Sequence, residues 1–571
     1  MSRPRGSAGG WRTPLWVALL GCLPVLAFLG SAPLRGSSEA RYARVAQLTA
    51  LEPPPVGAPS RWLVPRSDAG PHLTKPPLQY ALMAGSMRLL GATPGAARLP
   101  GALAAAVAGF LLAGVALRLH GARVACVAAA VLALTPLHVA VARVATTDAL
   151  LALCSLATLC GGLLARTRAG RPAAPAWLAP ALFHGAVAVG LLTKGPVALL
   201  PAGLVLLWLA LPPRDAAAFE RLRPLIGLPL AAAPLLAWAA AVAWGQPGAL
   251  SLWWAETAGR VGEGADHPRP WWYLLPFFAF GLLPGTALLP LAWPRAAWGG
   301  LRRALRSKSD ALLLGAAAVA PLLLFSAFAG KLPTYVLPCA APLAWCVGLG
   351  LRRRGSLPAA SSPVTLALLA AGLAAGAAAV AWDPTLPGAD WEALARQPAA
   401  RPLAWLLVAW AAALCLLAAW WVLRVRRRPP AAGPLAGAAF SLIVAAWVAL
   451  AAAEGRVLGG VGLPRWLGEI EARSGLASPE VWTAGFDDPA LPFHGGHPTR
   501  ELWLPMDRRR TARLLERERV LAVRPGLWPA VSERFSAADH RRVRPLGSLP
   551  TENVPPPWSG AKLFLIGPGR D

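Results

Sequence analysis

Apolar runs of about 17–22 residues recur along most of the chain, and short arginine-rich loops divide them. These runs are apolar on every face, unlike the striped helices of soluble domains, so they predict helices that cross a membrane. The first span is expected at Trp11–Leu34, with Arg3, Arg5 and Arg12 at its head. A polar loop follows: SEARYARVAQLTA, a Pro-rich turn, then RWLVPRSDAGPHLTKPPLQYAL. Within it Glu39–Leu51 reads as a short helix. Leu78–Leu90 reads as a second, with Leu82, Met83, Met87 and Leu90 on one face. At about 13 residues that second helix is too short to span, so it is expected to lie in the membrane interface.

Further spans are expected at Arg98–Leu117 and Val124–Ala142, then back to Arg166, Arg168 and Arg171. The next run is Ala176–Leu192, one returning to Arg214, Arg221 and Arg223, and one over Pro224–Trp244. A second outer loop, Gly245–Pro270, holds Glu256, Arg260, Glu263, Asp266 and His267. The eighth span opens at Trp271-Trp272-Tyr273, an aromatic cluster of the interfacial kind. Later spans pass Gly330–Tyr335, Arg352–Arg354, Trp382 and Arg424–Arg428 and end with Leu435–Ala453. With roughly thirteen spans, every arginine cluster between spans falls on one side, the cytoplasmic one. Glu39, Lys75, Asp148, Lys194, Arg260, His267 and Lys331 fall on the other. The N-terminus is then cytoplasmic and the C-terminus periplasmic.

From Glu454 the pattern turns soluble. Trp466–Arg473 and Arg508–Glu518 read as helices, and Val481–Phe486, Val520–Val523 and Leu563–Ile566 as strands. The expected organisation is an all-α polytopic membrane domain, 1–453, followed by a small α/β extracytoplasmic domain, 454–571.

Composition agrees: 56% of residues are hydrophobic and 14% charged, with a mean hydropathy of +0.50. A net charge of +28 would suit nucleic acid, but the arginines sit between apolar runs, so topology accounts for most of it and no nucleic acid partner is expected. The seven cysteines lie in or beside apolar runs and read as small buried hydrophobes. The N-terminus has the layout of a signal peptide, yet polar candidates follow it at once, so an uncleaved first span is expected.

An isolated Lys or Arg at a span end reads most simply as an anchor whose stem snorkels to the interface. The set says more: outward-facing cations run against the positive-inside bias. Clustered cations beside carboxylates suit a phosphorylated lipid and a displacement reaction.

SEARYA, TKPPLQYAL, AARLPGAL, ARVATTDALL, LLTKGPVALL, HPRPWWYLLPF and GKLPTYVLPCAAPLA resemble, in order, the motifs of GT-C-fold membrane glycosyltransferases. The subgroup is that of the protein O-mannosyltransferases and lipid A aminoarabinose transferases. The resemblance covers about residues 15–350, and GKLPTYVLPC is its most specific block. It implies transfer of a sugar from a polyprenyl-phosphate carrier to an acceptor at the outer face of a bacterial inner membrane. Carried over by motif, Lys75, Arg260 and Tyr335 bind the carrier phosphate. Asp148 and Glu39 are the catalytic carboxylates. Arg41, Tyr42, Arg143, Lys194, His267 and Lys331 support them. Ser38 stands where the family has aspartate, and Thr74 where close relatives have glutamate before Lys-Pro. The second departure weakens a metal-ligand pair with His267, so no metal or other cofactor is expected.

The expected reaction is inverting, with the leaving phosphate stabilised by Lys75 and Arg260. A membrane lipid or glycolipid acceptor of the lipid A type and a monomeric protein are expected. The alternatives are a lipid or sugar transporter and a degenerate relative that binds the carrier without catalysis. The first finds no charged site near a span midpoint; the second is motivated by Ser38.

Overall fold

The computed structural model describes residues 12–353 apart from 33, 35, 55, 58, 69, 167–174, 259–267 and 293–308. Beyond 353 it describes 441, 470, 472–476, 481–484, 499–502, 518–523, 528–532, 541–548 and 562–566. The three expected spans after residue 354 and the 508–517 helix lie outside the described residues.

The chain opens with α1 (Arg12–Leu26), shorter than the Trp11–Leu34 expected. Pro24 lies in its last turn, and Phe28 takes a positive φ of 52°, which a helix cannot continue through. Two helices of the first loop follow, α2 (Gly36–Leu51) and α3 (Leu78–Leu90), joined by a segment with a two-residue hairpin, β1 (Arg66–Ser67) and β2 (Gly70–Pro71). On α3 the buried side is Gln79, Tyr80, Met83, Ala84 and Met87. Leu82 and Leu90, expected on one face with the methionines, point outward with Leu89.

Next come α4 (Pro94–His120), capped by Thr93, whose hydroxyl accepts from the Ala96 amide, then α5 (Ala122–Leu134) and α6 (Pro136–Ala142). Pro136 removes a backbone donor, and the expected single span bends there by 62°. At the centre runs α7 (Asp148–Ala165), of which only Ala152 and Leu153 are not buried. Gly161 lets α8 (Leu178–Lys194) approach: a methyl group there would lie 2.7 Å from the Phe183 nitrogen. Gly162 does the same for Val205 of α9 (Leu199–Ala210). At Gly195-Pro196 the chain reverses, so α8 and α9 are two limbs on either side of α7.

After a short α10 (Ala216–Leu222), α11 (Pro224–Gly245) shows Leu225, Ile226, Leu230 and Leu236 outward, as a lipid-facing helix does. Then come α12 (Ala249–Ala258), α13 (Leu274–Gly281) and α14 (Gly285–Ala292), the last two separated at Leu282–Pro284, so the expected eighth span is broken. α15 (Asp310–Ser326) and α16 (Ala340–Arg353) flank a 3-10 segment, Pro333–Cys339.

Polar groups collect at the two ends of this bundle. At one end His120 Nε2 lies 2.9 Å from Asp310, and Arg166 bridges Asp215 (2.8 Å) and Asp310 (3.3 Å). Trp345 donates to His120 Nδ1 at 3.1 Å, so the imidazole proton sits on Nε2, facing the carboxylate. The other end holds the first loop and the motif residues.

Among the residues described after 480, β3 (Val481–Ala484), β4 (Thr499–Leu502), β5 (Arg519–Val523), β6 (Val543–Ser548) and β7 (Lys562–Ile566) form one mixed sheet in the order β4-β3-β5-β7-β6. The pairs β4-β3 and β3-β5 are parallel, and the other two antiparallel. Ile470, Val481, Val520, Ala522 and Leu563 belong to one buried cluster with Tyr80, Met83 and Met87.

Candidate functional site

The site begins with two clamps. Glu39, in the first turn of α2, is 2% exposed. Arg98 of α4 donates to both its oxygens, at 2.8 and 3.1 Å, and the Ala145 amide donates to Oε1 at 3.0 Å. The same guanidinium donates to the carbonyls of Leu29 and Ala32. One buried ion pair thus ties α2, the end of the first span, α4 and the turn before α7. Such a pair does little for net stability, but losing one partner costs about 3–5 kcal/mol. Arg143 is the second clamp: it donates to the carbonyls of Pro24, Ala27 and Phe28, satisfying the free end of α1.

The loop is held down in turn. Arg44 makes a two-point bond to Asp68 (3.0 and 2.8 Å), fixing the hairpin on α2. The indoles of Trp238 and Trp253 donate to the carbonyls of Leu63 (2.7 Å) and Leu73 (2.8 Å). Arg88 covers Trp62 and donates to the Ala50 carbonyl.

Within this frame the motifs meet. Asp148 opens α7 and Lys194 closes α8, each at the helix end whose dipole favours its charge, and the two form a buried ion pair. The Lys194 ammonium lies 4.9 Å from the Tyr335 ring centroid, and the Tyr335 ring packs on Phe325 at 4.7 Å. Tyr42 is within electrostatic reach of Lys194 and stacks on Tyr80 at 5.3 Å. His72 stands edge-on to both tyrosines and lies 3.2 Å from the Thr74 hydroxyl. Lys75, half-buried beside it, donates to the Thr74 carbonyl at 2.9 Å. The first loop and three span ends thus share one polar patch.

The remaining candidates divide. Ser38 and Arg41 are exposed on α2. Lys331 is buried and donates to the carbonyls of Arg269 (2.9 Å) and Phe328, bracing the two strands of chain that meet at Pro268 and Gly330. Arg260 and His267 lie outside the described residues.

Sequence reasoning missed Arg98, His72 and Tyr80 as members of the site. Arg98 had a signal, a charge at the head of an apolar run within a motif; His72 had none beyond nearness to Lys75. Complete burial pushes the Tyr80 phenol well above its ordinary value; Tyr42 adds to the rise and Arg41 opposes it. Among the described residues the buried side-chain atoms without a hydrogen-bond partner include both amide atoms of Gln79, Thr146 Oγ1 and Thr334 Oγ1. An unpaired buried polar group costs about 1–3 kcal/mol.

This architecture, a helical bundle with one polar end under an ordered first loop, is shared with solved proteins. Crystal structures of ArnT from Cupriavidus metallidurans, one bound to undecaprenyl phosphate and one without it, superpose with a TM-score of 0.74 over 98% of each chain, at 22% identity. The fold of this chain is thus the GT-C fold of those two structures. The family model described as dolichyl-phosphate-mannose-protein mannosyltransferase matches residues 74–244. An undecaprenyl phosphate-alpha-4-amino-4-deoxy-L-arabinose arabinosyl transferase of Aeromonas salmonicida is 31% identical over 346 residues, 58% of each chain. The same-named protein of Erwinia tasmaniensis is 36% identical over 209 residues, 34% of each. The chain therefore matches between 34% and 58% of these two relatives' length.

Proposed function

We propose that this protein transfers a sugar from a polyprenyl-phosphate carrier to a membrane lipid or glycolipid at the periplasmic face of a bacterial inner membrane. The observation that carries the reading is the meeting of Asp148, Lys194 and Tyr335 with Tyr42 and Tyr80 at one end of the bundle. The relatives' names supply the chemistry: an undecaprenyl phosphate sugar is their donor, and ArnT binds undecaprenyl phosphate.

In this reading the bond from the anomeric carbon to the phosphate oxygen breaks and its electrons stay on the phosphate. Lys75 and Arg260 neutralise that charge, and Tyr335 donates a hydrogen bond. An acceptor oxygen forms the new bond from the opposite face. Asp148 holds Lys194 in place, and Glu39 positions the loop through Arg98. Neither need remove a proton if the acceptor is a phosphate oxygen, largely ionised at neutral pH because even its second pKa is about 6. The exposed Ser38 fits such an acceptor, since it cannot act as a base. About thirteen spans, interfacial α2 and α3, an extracytoplasmic 454–571 domain, a monomer and a metal-free reaction complete the reading.

Purified protein in proteoliposomes, given radiolabelled undecaprenyl phosphate sugar and lipid A, tests it. Labelled lipid A should form, and Lys75→Ala should cut turnover at least about tenfold, as loss of a charge-stabilising group does. Movement of label across the bilayer with no product would replace the transferase by a transporter. Carrier binding without product, restored to turnover by Ser38→Asp, would mark a decayed enzyme.

A further inference from the structure

Lys75 stands on a short arm of the first loop, residues 71–76, and the residues around it are each fastened. The His72 amide donates to the Pro65 carbonyl at 2.7 Å. The Leu73 side chain is buried with Val64, Trp238 and Val242, and its carbonyl accepts from the Trp253 indole at 2.8 Å. The Thr74 carbonyl accepts from the Lys75 ammonium at 2.9 Å. Thr74 therefore carries the carbonyl that places the Lys75 charge. Its own side chain is fixed by His72, whose Nε2 lies 3.2 Å from the Thr74 hydroxyl.

The His72 ring is held in turn. It is 9% exposed and stands edge-on to Tyr42 (6.5 Å, 87°) and Tyr80 (5.6 Å, 88°), while those two rings stack on each other. The Tyr80 phenol gives the direction of the hydrogen bonds. Burial raises its pKa most; of its two hydrogen-bonding neighbours Tyr42 raises it further and Thr74 lowers it. A bond that lowers a phenol's pKa is one donated to its oxygen, so the Thr74 proton is turned to Tyr80. The bond between His72 and Thr74 then takes its proton from Nε2. Thr74 is gripped from two sides, by an imidazole that donates and a phenol that accepts.

We propose that His72 is a positioning residue for Lys75: it fixes the Thr74 side chain, and with it the peptide whose carbonyl holds the Lys75 ammonium. This rests on the reading above in which Lys75 binds the carrier phosphate, and adds what aims it. A lysine side chain is long and freely rotating, so an ammonium already ordered over its site loses less freedom when phosphate arrives. His72 touches no reacting atom in this role. A histidine that only filled the space between two tyrosines could be replaced by phenylalanine at little loss.

Binding of undecaprenyl phosphate and of undecaprenol to the full chain in nanodiscs tests this, since the two differ only in the phosphate. His72→Phe keeps a ring against the tyrosines and removes the nitrogen at Thr74. It should weaken undecaprenyl phosphate about fivefold, as loss of one hydrogen bond does, and leave undecaprenol within about twofold. His72→Gln, whose amide nitrogen reaches the same hydroxyl, should recover most of that affinity. Thr74→Val should weaken undecaprenyl phosphate as much as His72→Phe, and the two together no more than either alone, because both cut one bond. In a Lys75→Ala background His72→Phe should have no further effect. Unchanged undecaprenyl phosphate affinity in both His72→Phe and Thr74→Val overturns the proposal. So does a loss that His72→Gln does not restore, a loss shared by undecaprenol, or the same loss repeated in the Lys75→Ala background; each marks ring packing instead of positioning. If Lys75→Ala itself leaves undecaprenyl phosphate binding unchanged, the assignment of Lys75 to the phosphate fails first and takes the proposal with it.

Discussion

At the scale of single residues, charge alone does not mark a reacting group. Glu39 lies in the family's first-loop motif, yet its two oxygens face Arg98 and the Ala145 amide. Glu39→Gln should therefore act first on folding, lowering stability by about 3 kcal/mol in detergent denaturation, because Arg98 is left buried without its anion. Loss of activity at unchanged stability would return Glu39 to the chemistry. Asp148 and Lys194 give the complementary case. Lys194→Met should destabilise, and Lys194→Met with Asp148→Leu should recover most of that stability but no turnover, as replacement of a whole buried pair does. Tyr80 makes a pH prediction. Its folded pKa is raised by burial, so the folded state keeps the proton after the unfolded chain, near its ordinary value of about 10, has lost it. The stabilisation is complete below about pH 10 and is lost as pH rises through the folded value. Tyr80→Phe should flatten that alkaline decline in thermal midpoint; an unchanged decline would assign it elsewhere.

At the scale of elements, the first loop is a docked layer. Trp238 of α11 and Trp253 of α12 grip the carbonyls of Leu63 and Leu73, and Arg44 fixes the hairpin. Replacing both tryptophans by phenylalanine keeps the apolar body and removes the two donors. Each bond is worth about 0.5–1.5 kcal/mol net, so the loop should be cut faster by protease between residues 53 and 71 while the bundle stays intact. Unchanged cleavage would show that packing suffices. Most element positions were legible because periodicity and length set them: α2, α3, α4, α7, α8 and α11 lie close to where apolar runs begin and end. The breaks were less legible. The 62° bend before Pro136 and the division of the eighth span at Leu282–Pro284 fall inside continuous apolar sequence, where proline permits a bend but packing chooses it.

At the scale of the whole molecule, polar groups separate to the two ends of the bundle. Asp310, Arg166, His120 and Arg352 stand at one end, and Asp148, Lys194, Lys331 and the first loop at the other. Reporter fusions after Leu51 should read periplasm and those after Arg168 or Arg354 cytoplasm, as the loop arginines require. A cytoplasmic signal after Leu51 would invert the assignment. EDTA should leave turnover unchanged, and recovery of lost turnover by an added divalent ion would restore a metal to the site.

That the chain is polytopic and which motifs bear charge were legible in the sequence alone, because length, hydropathy and residue type act locally along the chain. The sequence also located three strands of the later sheet, at 481–484, 519–523 and 562–566, since short β-branched runs carry their own preference. The tertiary structure decided the partners. It joined Glu39 to Arg98 across 59 positions, Lys194 to Tyr335, and Tyr42 to Tyr80 and His72. Among the described residues, the amide of Gln79 is buried without a hydrogen-bond partner. Pairing depends on which helix faces meet in three dimensions, and residues this far apart in sequence leave no spacing from which that can be read.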